Sequence, residues 1–582
     1  MRVSLAMQFC HADEPRTSKN MSEKDQLDDL HQARTVPDAI TYDTDYELGQ
    51  DNIRPFGLDI HNPVFVISGA AIVLFVVLAL FNQQATADLF GWLRPWLTST
   101  FDWFLMMAVN IIFVFCIGLA VSPLGKVRIG GADATPDYGY LSWIAMLFSA
   151  GMGIGLLFFS VLEPMYYSLP ELNALPLGVN PMNADGTIGN SGLAATVFHW
   201  GFSAWAVYVV VALSLAIFAY NLGLPLTLRS AFYPILGERV WGWWGHAIDI
   251  LAVFATLFGL TTTLGLGAQQ IAAGLTDVFG MEIGQTGIVV LIIIITMAAL
   301  TSVLLGMDAG VKRLAEINMW LALALFLFVL FVGPTMVLLG RFGGTMVEYV
   351  TNYVALSNPF GREDTGYMHG WTTFYWAWWI AWSPFVGMFI ARVSRGRTVR
   401  EFIVCVLLLP SLVCALWMSV FGGMALEQLA AGYEGAKDVV VAYRPELSFF
   451  RMIDQFPFYS IVAPICLVLI VVFFVTSSDS GSLVIDTITA GGKMDAPVAQ
   501  RVFWCTFEGL VAIALLLGGG LNALQGAAVS MGIPFTLVVL AMCYCLFLAL
   551  RSEKQLMGLP EGSAVTSPHP VEHDEKPRGE HW

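Results

Sequence analysis

Long stretches with few or no Asp, Glu, Lys or Arg recur along the whole of this 582-residue chain. A bilayer core of about 30 Å is crossed by about 20 apolar residues in helical form. Twelve transmembrane helices are expected on that basis, near 62–82, 103–123, 139–167, 193–220, 246–274, 284–305, 316–340, 370–391, 402–426, 458–478, 502–518 and 527–550. The uncharged stretch 186–228 is long, but its polar, glycine-rich start (GTIGNSG) reads as loop, which leaves one helix there. Hydrophobic residues make up 57% of the chain and charged ones 12%, against about 25% charged in soluble domains. With a mean hydropathy of +0.69, this composition excludes soluble multidomain enzymes, disordered chains and small secreted scaffolds. The net charge of −16 lies mostly in tails and loops, and no basic stripe points to nucleic acid.

Orientation follows from where the basic residues fall. With a cytoplasmic N-terminus, the five inner loops hold Lys126, Arg128, Arg229, Arg239, Lys312, Arg313, Arg392, Arg395, Arg397, Arg400, Lys493 and Arg501, twice as many as the six outer loops. An integral plasma membrane protein, inner-membrane in a bacterium, is therefore expected, with both termini cytoplasmic. Residues 1–61 form an acidic N-terminal tail without the apolar core of a signal peptide, and 551–582 a short C-terminal tail of mixed charge. Between them the reading gives helices 1 and 2 (62–138), a first five-helix unit (139–340), an outer loop (341–369) and a second five-helix unit (370–550). The eight cysteines show no CxxC pair, and seven lie in or beside apolar runs, so neither a disulfide framework nor a zinc site is indicated.

Four segments carry chemistry. The third span reads Ser149-Ala-Gly-Met-Gly-Ile-Gly155. Small residues in membrane helices commonly serve close packing, but GxGxG spreads them round the helix and favours unwinding, which frees carbonyls for a cation or substrate. The eighth span holds Trp376, Trp378, Trp379 and Trp382 near mid-depth, too deep for an interfacial belt. Spacings of three and four residues let Trp378, Trp379 and Trp382 gather round one pocket, and clustered indole faces suit an onium group, whose diffuse charge offers no N–H donors. The fourth span adds His199-Trp200 with Trp205 and Tyr208, a pattern that alone reads as packing. The tenth ends in Phe473-Phe-Val-Thr476-Ser477; such hydroxyls mostly bond back to the preceding turn, yet they are also hard oxygen ligands of the kind a small cation accepts.

These segments resemble the betaine/carnitine/choline transporter family: GMGIG followed by Glu163-Pro164, FHWG with Trp205, and FYWAWWIAWSPFVGMFIARVSRGR over 374–397. The resemblance runs from about residue 55 to 550. It implies an all-α polytopic membrane protein of twelve transmembrane helices, a two-helix N-terminal extension followed by two inverted five-helix repeats in the LeuT-like arrangement, and a homotrimer. It assigns Trp378, Trp379, Trp382 and Met152 to a central onium site, with Trp200, Trp205 and Tyr208 as further aromatic contacts. One sodium site would use Ser149, Met152, Phe473, Thr476 and Ser477; a second would use Thr256, Phe385 and a threonine one turn after Thr256. Leu260 stands at that last position, which counts against the second site. The C-terminal tail also lacks the long basic helix of osmosensing members.

The resulting expectation is a secondary transporter, not an enzyme, for sodium-coupled uptake of a zwitterionic onium solute such as glycine betaine. It needs no cofactor beyond sodium as coupling ion, and its partners are the solute, sodium and membrane lipids. Dimethylsulfoniopropionate, carnitine and proton-coupled choline are the alternatives; for the last, the resemblance would place an acid where Gly155 stands. A channel is disfavoured, because no pore element repeats about an axis. Residues 138–162 and 365–391 contain no charged side chain, so these two spans offer a net cation no counter-charge. Glu163 and Asp479 read as structural, and Glu508 receives no role.

Overall fold

The computed structural model describes residues 42, 44–151, 153–305 and 312–556; Met152 lies outside them, as does most of each expected tail. The chain enters with α1 (Val64–Phe81), α2 (Gln83–Thr100) and α3 (Asp102–Val121). Two interrupted helices follow: α4 (Tyr140–Gly151) resumes as α5 (Ile154–Ser168), and α6 (Ser191–Trp200) resumes as α7 (Phe202–Ala216). Next come α8 (Trp243–Phe279), α9 (Gln285–Leu305), α10 (Lys312–Val332) and α11 (Thr335–Leu356). The remainder is α12 (Thr373–Val393), α13 (Val399–Ala430), α14 (Tyr459–Thr489), α15 (Val498–Leu517) and α16 (Gly520–Leu556).

Among the described residues, ten helices are long and apolar enough to cross a membrane. Their outward faces carry large apolar side chains, such as Leu74 and Leu78 on α1, Ile294 and Leu304 on α9, and Phe331 on α10. In water that surface would be a liability; in lipid it is the matching solvent, and the chain is an integral membrane protein. The third and eighth expected spans are outside the ten for local reasons. The third is broken between Gly151 and Ile154, with Gly153 in extended backbone, as the alternating glycines predict. The eighth, α12, is unbroken but rich in tryptophan, which lowers its hydropathy.

At two prolines a neighbouring hydroxyl takes over the freed carbonyl. Pro384 inside α12 cannot donate to the carbonyl of Ile380, and Ser383 Oγ donates to it instead at 2.7 Å. Pro334 ends α10 at Val332, eight residues before the expected 340. The carbonyl of Leu330 that it leaves free accepts from Thr335 Oγ1 at 2.7 Å.

Two helices were not expected. α2 lies between the first two spans and buries Phe90 and Leu97, seven residues apart, while Trp92 and Trp96 stay exposed. α11 occupies much of the expected outer loop and buries only Leu338, Thr345, Tyr349 and Leu356. Each has one narrow apolar face, too polar overall to read as a span. The ends also extend further than expected. A hairpin of β1 (Asn52–Ile53) and β2 (Ile60–His61) docks on the helices through Asn52 Nδ2 to the carbonyl of Ala490 (2.9 Å) and Lys493 to Asp59 (2.8 Å). α16 runs past 550, where Glu553 accepts from Asn221 Nδ2 at 2.8 Å.

The core is built round α12, which is buried along nearly its whole length and packs against α7, α8 and α16. Glycines set these approaches. A Cβ at Gly532 of α16 would stand 2.2 Å from the carbonyl oxygen of Ala377, and one at Gly259 of α8 3.2 Å from the backbone of Ala381 and Trp382.

Candidate binding site

The tryptophans of α12 meet those of the interrupted helix α6–α7. Trp378 and Trp379 stack at 4.8 Å, and each lies 6.4 Å from Trp382. Trp200, the last residue of α6, meets Trp379 edge-on at 5.0 Å. In the first two turns of α7, Tyr208 reaches Trp379 at 6.3 Å and Trp205 packs on Tyr208 at 5.4 Å. All six rings expected at the onium site are thus in one cluster, with exposures between 1% and 5%. The break at Gly201 (φ −97°, ψ −142°) separates Trp200, at the end of α6, from Trp205 and Tyr208 on α7. Tyr375 and Phe159 extend the cluster, at 5.7 Å from Trp379 and 6.1 Å from Trp378 respectively.

The first turn of α5 presses against this aromatic box. A Cβ at Gly155 would lie 3.1 Å from Trp200 and 3.2 Å from Trp378, so any larger residue there intrudes on the rings. The positive end of the broken helix, with its unbonded N–H groups, therefore adjoins the indoles. Two donors in the box, Trp382 Nε1 and the Tyr208 hydroxyl, are buried without a hydrogen-bond partner among the described residues. The other two indoles that α12 gives the box are anchored: Trp378 Nε1 donates to the carbonyl of Gly259 (3.1 Å) and Trp379 Nε1 to that of His199 (2.8 Å). Buried donors seldom stay unpaired. An onium with an attached carboxylate matches both parts of this arrangement, aromatic faces for the cation and two free donors for the anion.

Phe159 also stands beside a cavity of about 230 Å³ lined by Arg94, Tyr166, Trp371, Tyr443 and Gln525. None of these was singled out from sequence, since they come from α2, α5, loops and α16. Glu163, which reads as structural from sequence, borders the cluster through Trp200. It is fully buried and accepts hydrogen bonds from Tyr167, His199, Trp200 and Tyr375. The signal lay in the sequence as an acid followed by proline inside a span, but its partners are spread over more than two hundred residues.

The residues expected at sodium are placed as follows. Thr476 and Ser477 are half-buried on α14, and Phe473 is buried one turn earlier. Thr476 Oγ1 donates to the carbonyls of Val472 (2.9 Å) and Phe473 (3.2 Å), which leaves its lone pairs facing away from the helix. Ser149 is placed by its backbone on the last turn of α4. For the second site, Thr256 is buried on α8 with its hydroxyl on the carbonyl of Ala252, and Phe385 packs 5.5 Å from Trp382. Leu260 is fully buried and supplies no oxygen, while Thr261 Oγ1 bonds the carbonyl of Phe258 within its own helix.

Comparison with known proteins places similar chains beside this one. A glycine betaine/proline/choline transporter of Vibrio parahaemolyticus is 57% identical over 88% of this chain and 95% of its own length. Glycine betaine transporter 1 of the same organism is 53% identical over 88% of this chain and 98% of its own. A glycine betaine transporter of Acinetobacter baylyi is 41% identical over 88% and 76%. The model of the betaine/carnitine/choline family transporters matches residues 63–555, which cover the box, the broken helices and every span described above. The chain belongs to the betaine/carnitine/choline transporter family and is a transporter, not an enzyme.

Proposed function

We propose that this transporter takes up a zwitterionic onium solute, glycine betaine before others, and drives that uptake with sodium. The observation that carries the reading is the box of Trp200, Trp205, Tyr208, Trp378, Trp379 and Trp382, two of whose rings bear buried donors without a partner among the described residues. A trimethylammonium group binds such faces through its diffuse charge, worth about 2 kcal/mol or more per desolvated contact. Its carboxylate is met by Tyr208, Trp382 and the start of α5. Of the three relatives described above, two are glycine betaine transporters and one a glycine betaine/proline/choline transporter, which supports an onium substrate.

In this reading the membrane is crossed twelve times, by α1, α3, α4–α5, α6–α7, α8, α9, α10, α12, α13, α14, α15 and α16, with α2 and α11 outside the set. The five crossings from α4–α5 to α10 and the five from α12 to α16 form a LeuT-like inverted pair, since an odd number of spans per unit reverses the second copy. Arg392, Arg395, Arg397 and Arg400 after α12 then lie on the cytoplasmic side, with both termini. Thr476 and Ser477 contribute hydroxyl oxygens to one sodium ion, beside the carbonyls of the broken α4–α5 helix and Phe473. A second ion at Thr256 and Phe385 lacks the oxygen that Leu260 replaces.

Direct binding tests the substrate. Purified protein in detergent is titrated with glycine betaine, dimethylsulfoniopropionate and carnitine, in sodium and in potassium, with tryptophan fluorescence as readout. Saturable changes are expected with betaine, tightened by sodium. A response to none of the three would refute the reading.

A further inference from the structure

We propose that Glu163 is the counter-charge of the aromatic box, and that it lets the site hold onium compounds that bring no carboxylate of their own. This inference rests on the binding reading above. The uncharged stretches 138–162 and 365–391 argue, on sequence alone, for exclusion of a net cation. Glu163 stands one residue beyond the first stretch, and the fold turns it inward behind the box.

Its environment is that of an anion. Oε1 accepts from the Tyr167 hydroxyl (3.1 Å) and His199 Nδ1 (2.5 Å), and Oε2 from Trp200 Nε1 (3.0 Å) and the Tyr375 hydroxyl (2.7 Å). An ionised carboxylate has about four lone-pair positions, and four donors fill them. The indole of Trp200 only donates, so the arrangement is built for an acceptor. Among the described residues no lysine or arginine pairs with Glu163; His199 is its only ion-pair partner. The other ring nitrogen of His199 lies 3.0 Å from Thr372 Oγ1, which can donate to it, so a neutral imidazole is accommodated there. With the imidazole neutral, all four donors are dipoles that hold the carboxylate without cancelling its charge.

Three of the four groups on Glu163 connect directly to the box. Trp200 is itself a wall, 5.0 Å from Trp379. Tyr375 stacks on Trp379 at 5.7 Å, and His199 accepts the Trp379 indole N–H through its carbonyl at 2.8 Å. Hydrogen bonds to an anion push electron density into the indole and phenol rings, which deepens the negative face an onium meets. The anion also acts at a distance of about one ring width, in surroundings from which water is excluded. Two unit charges roughly 8 Å apart, at an effective dielectric near 20, attract by an amount equal to about thirtyfold in affinity. A zwitterion recovers much less, about threefold, because its own carboxylate is repelled from only slightly further away.

Substrate choice is therefore the readout. Displacement of radiolabelled glycine betaine by unlabelled betaine and by choline is measured on purified full-length wild type, Glu163→Gln and Glu163→Asp. Glu163→Gln is expected to weaken choline by roughly thirtyfold and betaine by about threefold, and Glu163→Asp to keep the wild-type ratio between the two even if both weaken. Equal losses for both ligands in Glu163→Gln, or no loss, overturn the inference and leave Glu163 a packing residue. The wild type gives a second reading that depends on no variant folding: choline is expected to bind within about thirtyfold of betaine. Betaine binding with choline excluded overturns the role of Glu163 alone, whereas absence of betaine binding overturns the binding reading and this inference with it.

Discussion

Trp379 touches Trp378, Trp382, Trp200, Tyr208 and Tyr375, so its indole is the common wall of the box. Trp379→Leu keeps bulk and removes the ring quadrupole, and it is expected to weaken betaine binding about thirtyfold, from a cation–π contact of about 2 kcal/mol. Radioligand binding to the purified variant checks this, and an affinity within twofold of wild type removes the residue from the site. Thr476→Ala with Ser477→Ala takes away two oxygens and is expected to raise the sodium needed for half-maximal uptake while betaine affinity at saturating sodium changes little. A sodium titration of uptake reads the difference; an unchanged sodium dependence refutes these two ligands. At this scale the sequence was informative where spacing is local: Trp378, Trp379 and Trp382 share a face by helix geometry. The surroundings of Glu163 were not legible there, because its partners at 167, 199, 200 and 375 become neighbours only in the fold.

Helices meet at the box because glycines let them. Gly532 seats α16 against the backbone of α12, where a Cβ has 2.2 Å to the Ala377 carbonyl and the obstacle is main chain that cannot rotate away. Gly532→Val is therefore expected to destabilise the protein by about 3 kcal/mol, at the upper end for overpacking, and to weaken betaine binding by shifting Trp378 and Trp379. Gly340→Ala on α11, with nothing within 4 Å of its Cβ, is the control and is expected to leave binding unchanged and stability equal or raised by up to about 1 kcal/mol. Thermal unfolding and binding on the two variants check the contrast; equal melting temperatures would mean that α12 is not held this way. The break after Gly151 was legible from three alternating glycines, whereas the break at Gly201 was not, since one glycine in an apolar helix carries no periodic signal. α2 and α11 escaped notice because each has one narrow buried face and mixed composition, which hydropathy averages away.

Taken as a whole, the molecule encloses a buried aromatic site among helices whose outer faces suit lipid, with two interrupted helices bringing backbone and side chains to that site. Membrane class and span positions follow from composition, because every apolar stretch of span length must find either lipid or protein. The layout of those spans relative to one another does not, since it depends on contacts such as Gly259 with Trp382. Coupling is the central claim at this scale. It is tested most directly by loading proteoliposomes that contain the purified full-length protein with potassium buffer, diluting them into sodium, and following radiolabelled glycine betaine inside. The account predicts accumulation above the outside concentration that collapses when the sodium gradient is dissipated. Equal uptake in sodium and in potassium-only buffer, levelling at the outside concentration, would contradict it.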